Sequence, residues 1–239
     1  MSLSKIEAVG RILLNIFKLK KEFYILLKLF ISKKIFFVKI GASEANIKSD
    51  VLAKFIKVFN CQGVLIEPNP IYFNEIKKNY SKKFTCLNLA ISNKNSLRNL
   101  FTIKKSFLNS LSALEQQSLL RKSSFYKEQV IAALIKRGND KKIFLKKIIV
   151  KTLDINSLLN TYKDTNLLFI DAEGHDYIIL KKINLKKFKI KTIIFENRHL
   201  SQISLKDKIK KIKFLDKKFK KYNYKLLFNN FNESIYQLK

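Results

Sequence analysis

One stretch constrains this chain more than any other: Leu167 to Tyr177, Leu-Leu-Phe-Ile-Asp-Ala-Glu-Gly-His-Asp-Tyr. Leu167 to Ile170 has the length and composition of a strand buried on both faces, and such strands belong to parallel sheets covered by helices. The apolar run gives way at once to Asp171, Glu173, His175 and Asp176 around Gly174. In an open α/β sheet, ligands bind in the crevice beyond the carboxyl ends of the strands, so acids placed there face a cleft. Two readings stay open for Asp171: chemistry in that cleft, or capping of the helix whose first turn holds Asp176 and Tyr177.

The segments before this stretch supply the rest of such a sheet. Ile35 to Ile40 reads as a buried strand that runs into the small-residue turn Gly41-Ala42-Ser43, followed by Glu44 and Ala45 and then a helix from about Asn46 to Asn60. Small residues let backbone approach a ligand, and the start of a helix offers N–H groups to an anion. As a glycine pattern the turn is weak, because Ala45 stands where a dinucleotide fingerprint wants another glycine. Gly63 to Ile66 is the second strand and ends in Glu67-Pro68-Asn69-Pro70. An acid at the end of strand two, roughly 20 residues beyond the glycine turn, is placed to accept hydrogen bonds from both hydroxyls of a ribose. The competing reading, a cap for a helix from Ile71 to Asn79, is weakened by Pro68 and Pro70, which hold Glu67 back at the strand end. A third strand is expected from Phe84 to Ala90. Tyr224 to Phe228, the Asn-rich turn Asn229 to Asn232, and Ser234 to Leu238 read as a C-terminal antiparallel hairpin.

With 239 residues, 47% of them hydrophobic, the chain can bury one sizeable α/β core, and no Pro/Gly/Ser-rich linker divides it. A single domain is expected over 35–239, preceded by a lysine-punctuated amphipathic helical segment at 1–34. Its apolar runs fall far short of the roughly 18 residues of a membrane span. Packing on the sheet is its plain role, and a peripheral contact with a membrane surface stays open. Cys61 and Cys86 have no spacing suggestive of zinc or disulfides, which fits a cytoplasmic location.

The formal net charge of +31 invites a polyanionic partner. Its distribution argues otherwise: lysines run through the whole chain, while Arg, preferred for bidentate phosphate and guanine recognition, occurs only at 11, 98, 121, 137 and 198. The Lys, Ile, Asn and Phe bias also matches the codon drift of an AT-rich genome. Nucleic acid is therefore an open but disfavoured partner.

Taken together, Val38 to Ala45, Ile66 to Pro70, Leu89 to Ser92, Thr152-Leu153-Asp154, Phe169 to Asp176 and Ile194-Phe195-Glu196 resemble the FkbM type of class I S-adenosylmethionine-dependent methyltransferase, in that family's order. The resemblance implies a Rossmann-like, seven-stranded, mostly parallel sheet with S-adenosylmethionine over its carboxyl edge, and O-methylation of a sugar, glycan precursor or similar hydroxylated molecule. It places cofactor contacts at Lys39, Gly41, Ala42, Ser43, Glu67, Pro68, Ala90 and Asp171, and catalysis at Asp171, with Glu173 and His175 as neighbouring candidates. Asp171, Glu196 and Asn197 together would offer the hard oxygen donors that suit magnesium, while His199 is expected at the surface. Where the family has an acid, Asn and Gly, this chain has Lys39, Ser43 and Ala45. In an active enzyme Lys39 is thus expected to turn away from the cofactor's positive groups or to pair with an acid such as Glu44; the alternatives are an RNA methyltransferase, or a non-catalytic methyltransferase-fold protein that has lost the cofactor pocket, the reading to which Lys39 and Ala45 point.

Between about Asn93 and Lys151 lies an insertion, read as a substrate-side cap. Arg98 to Ile103 and Lys146 to Lys151 can pair as extra strands, Leu111 to Leu120 and Phe125 to Lys136 have helical spacing, and Ser106, Ser110, Ser112, Ser123 and Ser124 are candidates to line a sugar site.

Overall fold

A computed structural model describes residues 25–27, 29, 31, 34–43, 51–112, 115, 116, 119, 122–135, 144–201 and 204–239. Most of the amphipathic segment, with Glu44 and Ala45, lies outside the described residues.

The apolar runs become strands β1 (Phe36–Ile40), β2 (Gln62–Ile66), β3 (Thr85–Leu87), β4 (Ala90–Ser92), β5 (Ser96–Ile103), β6 (Leu145–Asp154), β7 (Leu167–Ile170), β8 (Thr192–Glu196), β9 (Tyr224–Asn229) and β10 (Glu233–Leu238). Helices α1 (Val51–Val58), α2 (Pro70–Tyr80), α3 (Lys105–Leu108), α4 (Lys127–Ile135), α5 (Ile155–Thr161), α6 (Asp176–Lys182) and α7 (Leu205–Lys221) connect them.

Among the described residues these strands form a seven-stranded sheet in the order β3-β2-β1-β7-β8-β10-β9 and a three-stranded sheet in the order β4-β6-β5. In the larger sheet β3, β2, β1, β7 and β8 run parallel, and β10 is antiparallel to both β8 and β9. The mostly parallel sheet with its antiparallel C-terminal hairpin is thus as the sequence implies. Strand order moves outward from β1 through β2 to β3 and then resumes at β7 on the other side of β1. That reversal opens a crevice at the carboxyl ends of β1 and β7, where a doubly wound sheet takes its ligand.

Alternation along each central strand builds two cores. Val38, Ile40, Val64, Ile66, Leu168, Ile170, Ile193 and Phe195 pack with α5, α6 and α7 on one face, through Leu158, Ile179, Leu215 and Phe219. Phe37, Leu65, Leu167, Phe169, Ile194 and Ile235 pack with Leu52, Phe55 and Ile56 of α1 on the other, joined by Leu26 and Leu29. Helix starts follow local chemistry: Asn69 accepts from the Ile71 N–H ahead of Pro70, Asp154 from Asn156 and Ser157, and Ser204 from Asp207.

The expected third strand from Phe84 to Ala90 is corrected to two pieces in different sheets. β3 pairs with β2, whereas β4 pairs with β6. Asn88 causes the break: its amide donates to the backbone carbonyls of Glu67 at 2.9 Å and Pro68 at 3.2 Å, which pins the chain beside the end of β2 and turns it out of the sheet. In the insertion, β5 and β6 pair antiparallel from Ser96↔Thr152 to Ile103↔Leu145, as the alternation predicts. Ile103, Phe107, Leu108, Leu119, Val130 and Leu134 give this region a small core of its own.

Gly41 sets the tightest contact at the crevice. Its φ is 74°, and a Cβ built there would lie 1.8 Å from the Asp171 carbonyl oxygen. Gly41→Ala should therefore lower stability by more than about 2 kcal/mol, combining left-handed backbone strain with a backbone clash; the urea midpoint measures it, and an unchanged midpoint would show that the two turns can part freely.

Candidate functional site

The carboxyl ends of β1, β2, β7 and β8 converge on a cavity of about 440 Å³, a size suited to a small organic ligand. Gly41 and Ser43 come from the turn after β1, Glu67 and Pro68 from the end of β2, and Asp171, Ala172 and Glu173 from the turn after β7. Glu196 and Arg198 come from the end of β8, Leu89, Ala90 and Ile91 from the β3–β4 passage, and Leu100, Lys122, Ser123, Ser124 and Phe125 from the insertion.

Glu67 is buried, with one carboxylate oxygen accepting the Ser43 N–H and the other the Asn69 N–H, both at 2.8 Å. It therefore does not cap α2, and Asn69 does. Each oxygen keeps acceptor capacity beyond its backbone partner. Burial pushes the Glu67 carboxyl up to about 7, against the lowering effect of the two N–H groups; Asp171 adds to the rise and Lys39 opposes it. Asn69 also donates from its side chain to Thr102 and Ser123, tying the β2 loop to the insertion.

Asp171 does not cap α6. Asp176 satisfies the turn instead, accepting the N–H groups of Ala172 at 3.2 Å and Gly174 at 3.1 Å from a fully buried position. Burial and the neighbouring Asp171 push the Asp176 carboxyl up to about 7. Glu173 and Gly174 both have positive φ, 44° and 93°, so the turn doubles back and sends the Glu173 side chain to the cavity. Lys122 of the insertion pairs with Glu173 at 2.6 Å. Burial raises the Glu173 carboxyl, Lys122 and Arg198 lower it, and Asp171 raises it. Glu196 is pushed up to about 10, first by burial and then by Asp171, Glu173 and Asp176. One of its oxygens, Oε2, is buried without a hydrogen-bond partner among the described residues.

Several expectations need correction. His175 is 2% exposed and serves the architecture rather than lining the cavity. Its Nε2 lies 2.9 Å from Ser92 Oγ and 3.3 Å from Arg98 Nη1, and its Nδ1 lies 3.4 Å from Tyr126 Oη. Arg98 can only donate, which makes Nε2 the acceptor and leaves the ring proton on Nδ1. Burial, reinforced by the Arg98 charge, depresses the imidazole to about 3. Lys39 is not among the residues that line the cavity: it stands beside Phe169 in the strand register, its ammonium 5.0 Å from that ring's centroid. Ala42 is buried in the same face's core, so Gly41 and Ser43 line the cavity without it.

Of the oxygen set Asp171, Glu196 and Asn197, the first two line the cavity and Asn197 does not. Asn197 turns into the C-terminal hairpin, donating to Asn229, Asn230 and Ser234 at 2.9 Å each. His199, expected at the surface, instead lies 3.9 Å from both Glu173 and Glu196. Among the His, Cys, Asp and Glu side chains of the described residues, these three stand close enough together to hold a metal ion. Ser123 and Ser124 do reach the cavity wall, the latter donating to the Glu173 carbonyl. Lys122 and Arg198 escaped the sequence reading, Lys122 because nothing separates it from dozens of other lysines and Arg198 although it stands two residues past Glu196.

A mostly parallel α/β sheet whose carboxyl edge carries an acid-rich cavity, walled in part by Leu100 and residues 122–125, defines a ligand-binding class of fold. Residues 40–226 match the model of the Methyltransferase FkbM domain. The chain belongs to that methyltransferase family. Among solved structures, Methyltransferase FkbM from Methylobacillus flagellatus KT is similar at 12% identity with a TM-score of 0.45; the match covers 85% of this chain and 43% of that one, so this chain spans less than half of that protein. No curated protein matches the sequence.

The His175 environment has a pH signature. Its folded pKa, about 3, lies below the ordinary 6.5, so between those values the unfolded chain binds the extra proton and stability falls as pH falls. Glu67 and Asp176, with raised values, act in the opposite sense as pH rises toward about 7. The histidine's share is isolated by His175→Gln: the wild type's advantage in urea midpoint over the variant should shrink as pH drops below about 6.5. A constant difference from neutral pH to about pH 5 would mean the ring already titrates normally in the native state.

Proposed function

We propose that this protein is an S-adenosylmethionine-dependent O-methyltransferase acting on a hydroxyl of a sugar, glycan precursor or similar small molecule. The observation that carries the reading is a segregation of charge. In a chain with only 18 acidic residues and a net charge of +31, Glu67, Asp171, Glu173 and Glu196 line one cavity against Lys122 and Arg198. A cationic ligand would relieve the repulsion that helps hold these carboxyls above their ordinary range, the carboxyl groups offer hydrogen-bond partners to neutral hydroxyls, and a phosphodiester would add to the repulsion. An RNA methyltransferase, the runner-up, would have to bring polyanion to a cavity whose acids already raise one another's pKa.

The residues fit the cofactor. Glu67 is pinned by two backbone N–H groups with acceptor capacity to spare for a pair of ribose hydroxyls. Gly41 brings backbone to the crevice where any side chain would clash, and the Ser43 hydroxyl is buried without a partner among the described residues. S-adenosylmethionine supplies an activated methyl group on a sulfonium when bound. The protein's part is to hold the acceptor hydroxyl in line and take its proton. Asp171, at the end of β7, is the residue we assign to that proton. Glu173, held by Lys122, and Glu196 would accept hydrogen bonds from other hydroxyls of the acceptor. Should a divalent cation assist, the donors would be Glu173, Glu196 and His199 rather than a set containing Asn197.

Thermal shift tests the reading directly: S-adenosylmethionine or S-adenosylhomocysteine at 100 times its dissociation constant should add about 2.7 kcal/mol of stability, and no shift with either would remove the cofactor assignment. In calorimetry, Glu67→Ala should weaken S-adenosylhomocysteine by about 1.5 to 3 kcal/mol, the cost of a charge-assisted hydrogen bond. Asp171→Asn keeps the shape but loses the proton acceptor, so turnover should drop about 100-fold with cofactor affinity little changed. Normal turnover in that variant would assign the proton to another group.

A further inference from the structure

Helix α7 carries an apolar patch that its own packing does not use. Leu205 is 72% exposed and Ile209 45%, and at i and i+4 they share one side of the helix. Phe231, in the turn between β9 and β10, is 71% exposed, and the Lys208 ammonium sits 4.6 Å over its ring, joining helix and turn into one surface. Exposed Lys206, Lys210 and Lys213 follow along the same helix. The buried side of α7, through Leu215 and Phe219, is already satisfied in the core.

We propose that this face docks the protein on an anionic membrane surface, with Leu205, Ile209 and Phe231 entering the acyl boundary and the neighbouring lysines meeting lipid phosphates. Single exposed apolar residues are ordinary. Here two lie one turn apart on a helix whose Lys208 covers the third, with exposed lysines along the same helix, the pattern of an interfacial helix, basic beside apolar. The charge complementarity is with a polyanion. The aliphatic tips select a bilayer, because Leu and Ile gain by leaving water for acyl chains and gain nothing from a sugar-phosphate backbone.

The patch stands beside the cavity. Glu233 of β10 pairs with Glu196 of β8, and the Asn197 N–H donates to the Asn232 carbonyl, so the turn holding Phe231 lies at the carboxyl end of β8, next to Glu196 and Arg198 of the cavity wall. Docking by this face brings that side of the cavity to headgroup level. Resting on the function proposed above, the acceptor would then be a hydroxylated headgroup or lipid-linked saccharide presented at the bilayer. The docking itself is independent of any catalysis.

Co-sedimentation of the full-length protein with vesicles tests it, using phosphatidylcholine alone and phosphatidylcholine mixed with phosphatidylglycerol. The wild type should bind the mixed vesicles and leave the neutral ones. Leu205→Ser combined with Phe231→Ser should weaken that binding about ten-fold or more at unchanged circular dichroism, since each serine removes an apolar group that would leave water. The lysines of residues 1–24 are common to both proteins, so the difference reports on this face alone. Equal binding by wild type and variant, or no binding of the wild type to mixed vesicles, overturns the proposal. So does tight binding of a single-stranded oligonucleotide at physiological ionic strength that Lys206→Glu with Lys210→Glu abolishes while the serine variant retains it, which would make this a nucleic-acid face.

Discussion

The site depends on the contact between two backbone turns. The Asp171 N–H donates to the Ile40 carbonyl, continuing the β1–β7 ladder past the strand ends, and the Asp171 carbonyl then fills the space a side chain at position 41 would need. With Gly41 at positive φ, the chain swings to Ser43, whose N–H reaches Glu67 across the end of β2. With Glu173 at positive φ, the other turn carries a second acid to the same crevice. Strain at both turns is held by what surrounds them: the Gly41 and Ala42 N–H groups both donate to the Ile66 carbonyl, and Asp176 takes the two N–H groups of the β7 turn.

Electrostatics builds on that backbone. Four carboxylates in one cavity repel one another and lose hydration, which is why Glu67 and Glu196 are held far above the ordinary carboxyl range. Lys122 and Arg198 moderate the site, and the first of these arrives from the insertion rather than the sheet. The insertion is fastened by polar contacts at the cavity wall, Asn69 to Thr102 and Ser123 on one side and Ser124 to the Glu173 carbonyl on the other. A neutral His175 completes the join, linking the start of α6 to Ser92, Arg98 and Tyr126. Its depressed basicity follows from that place, because a charged ring would face Arg98 without water.

The sheet was legible because its information is local. An apolar run such as Leu167 to Ile170 can be buried only as a central strand, Gly41 after such a run marks a turn that needs left-handed backbone, and Asn-rich residues between alternating segments mark the hairpin. The acids at the ends of β2, β7 and β8 were legible for the same reason: strand direction fixes the edge to which their end residues belong. Side-chain direction is a different kind of information. Lys39 and Ile40 are adjacent in sequence, yet pleating sends one toward Phe169 and the other to the cavity wall.

Sequence alone therefore determined the parallel core, the hairpin, the paired insertion strands and the presence of Glu67, Asp171, Glu173 and Glu196 at one sheet edge. Tertiary structure decided which neighbours those acids have. It drew Asn197 into the hairpin and brought His199 beside Glu173 and Glu196, and it chose Lys122 as Glu173's partner from among many chemically identical lysines. It also gave the turn's N–H groups to Asp176 rather than Asp171, leaving Asp171 at the cavity. The physical reason is common to all of these: a strand's burial and direction follow from its own residues, whereas a side chain's partner depends on distant segments that meet only when the chain has folded.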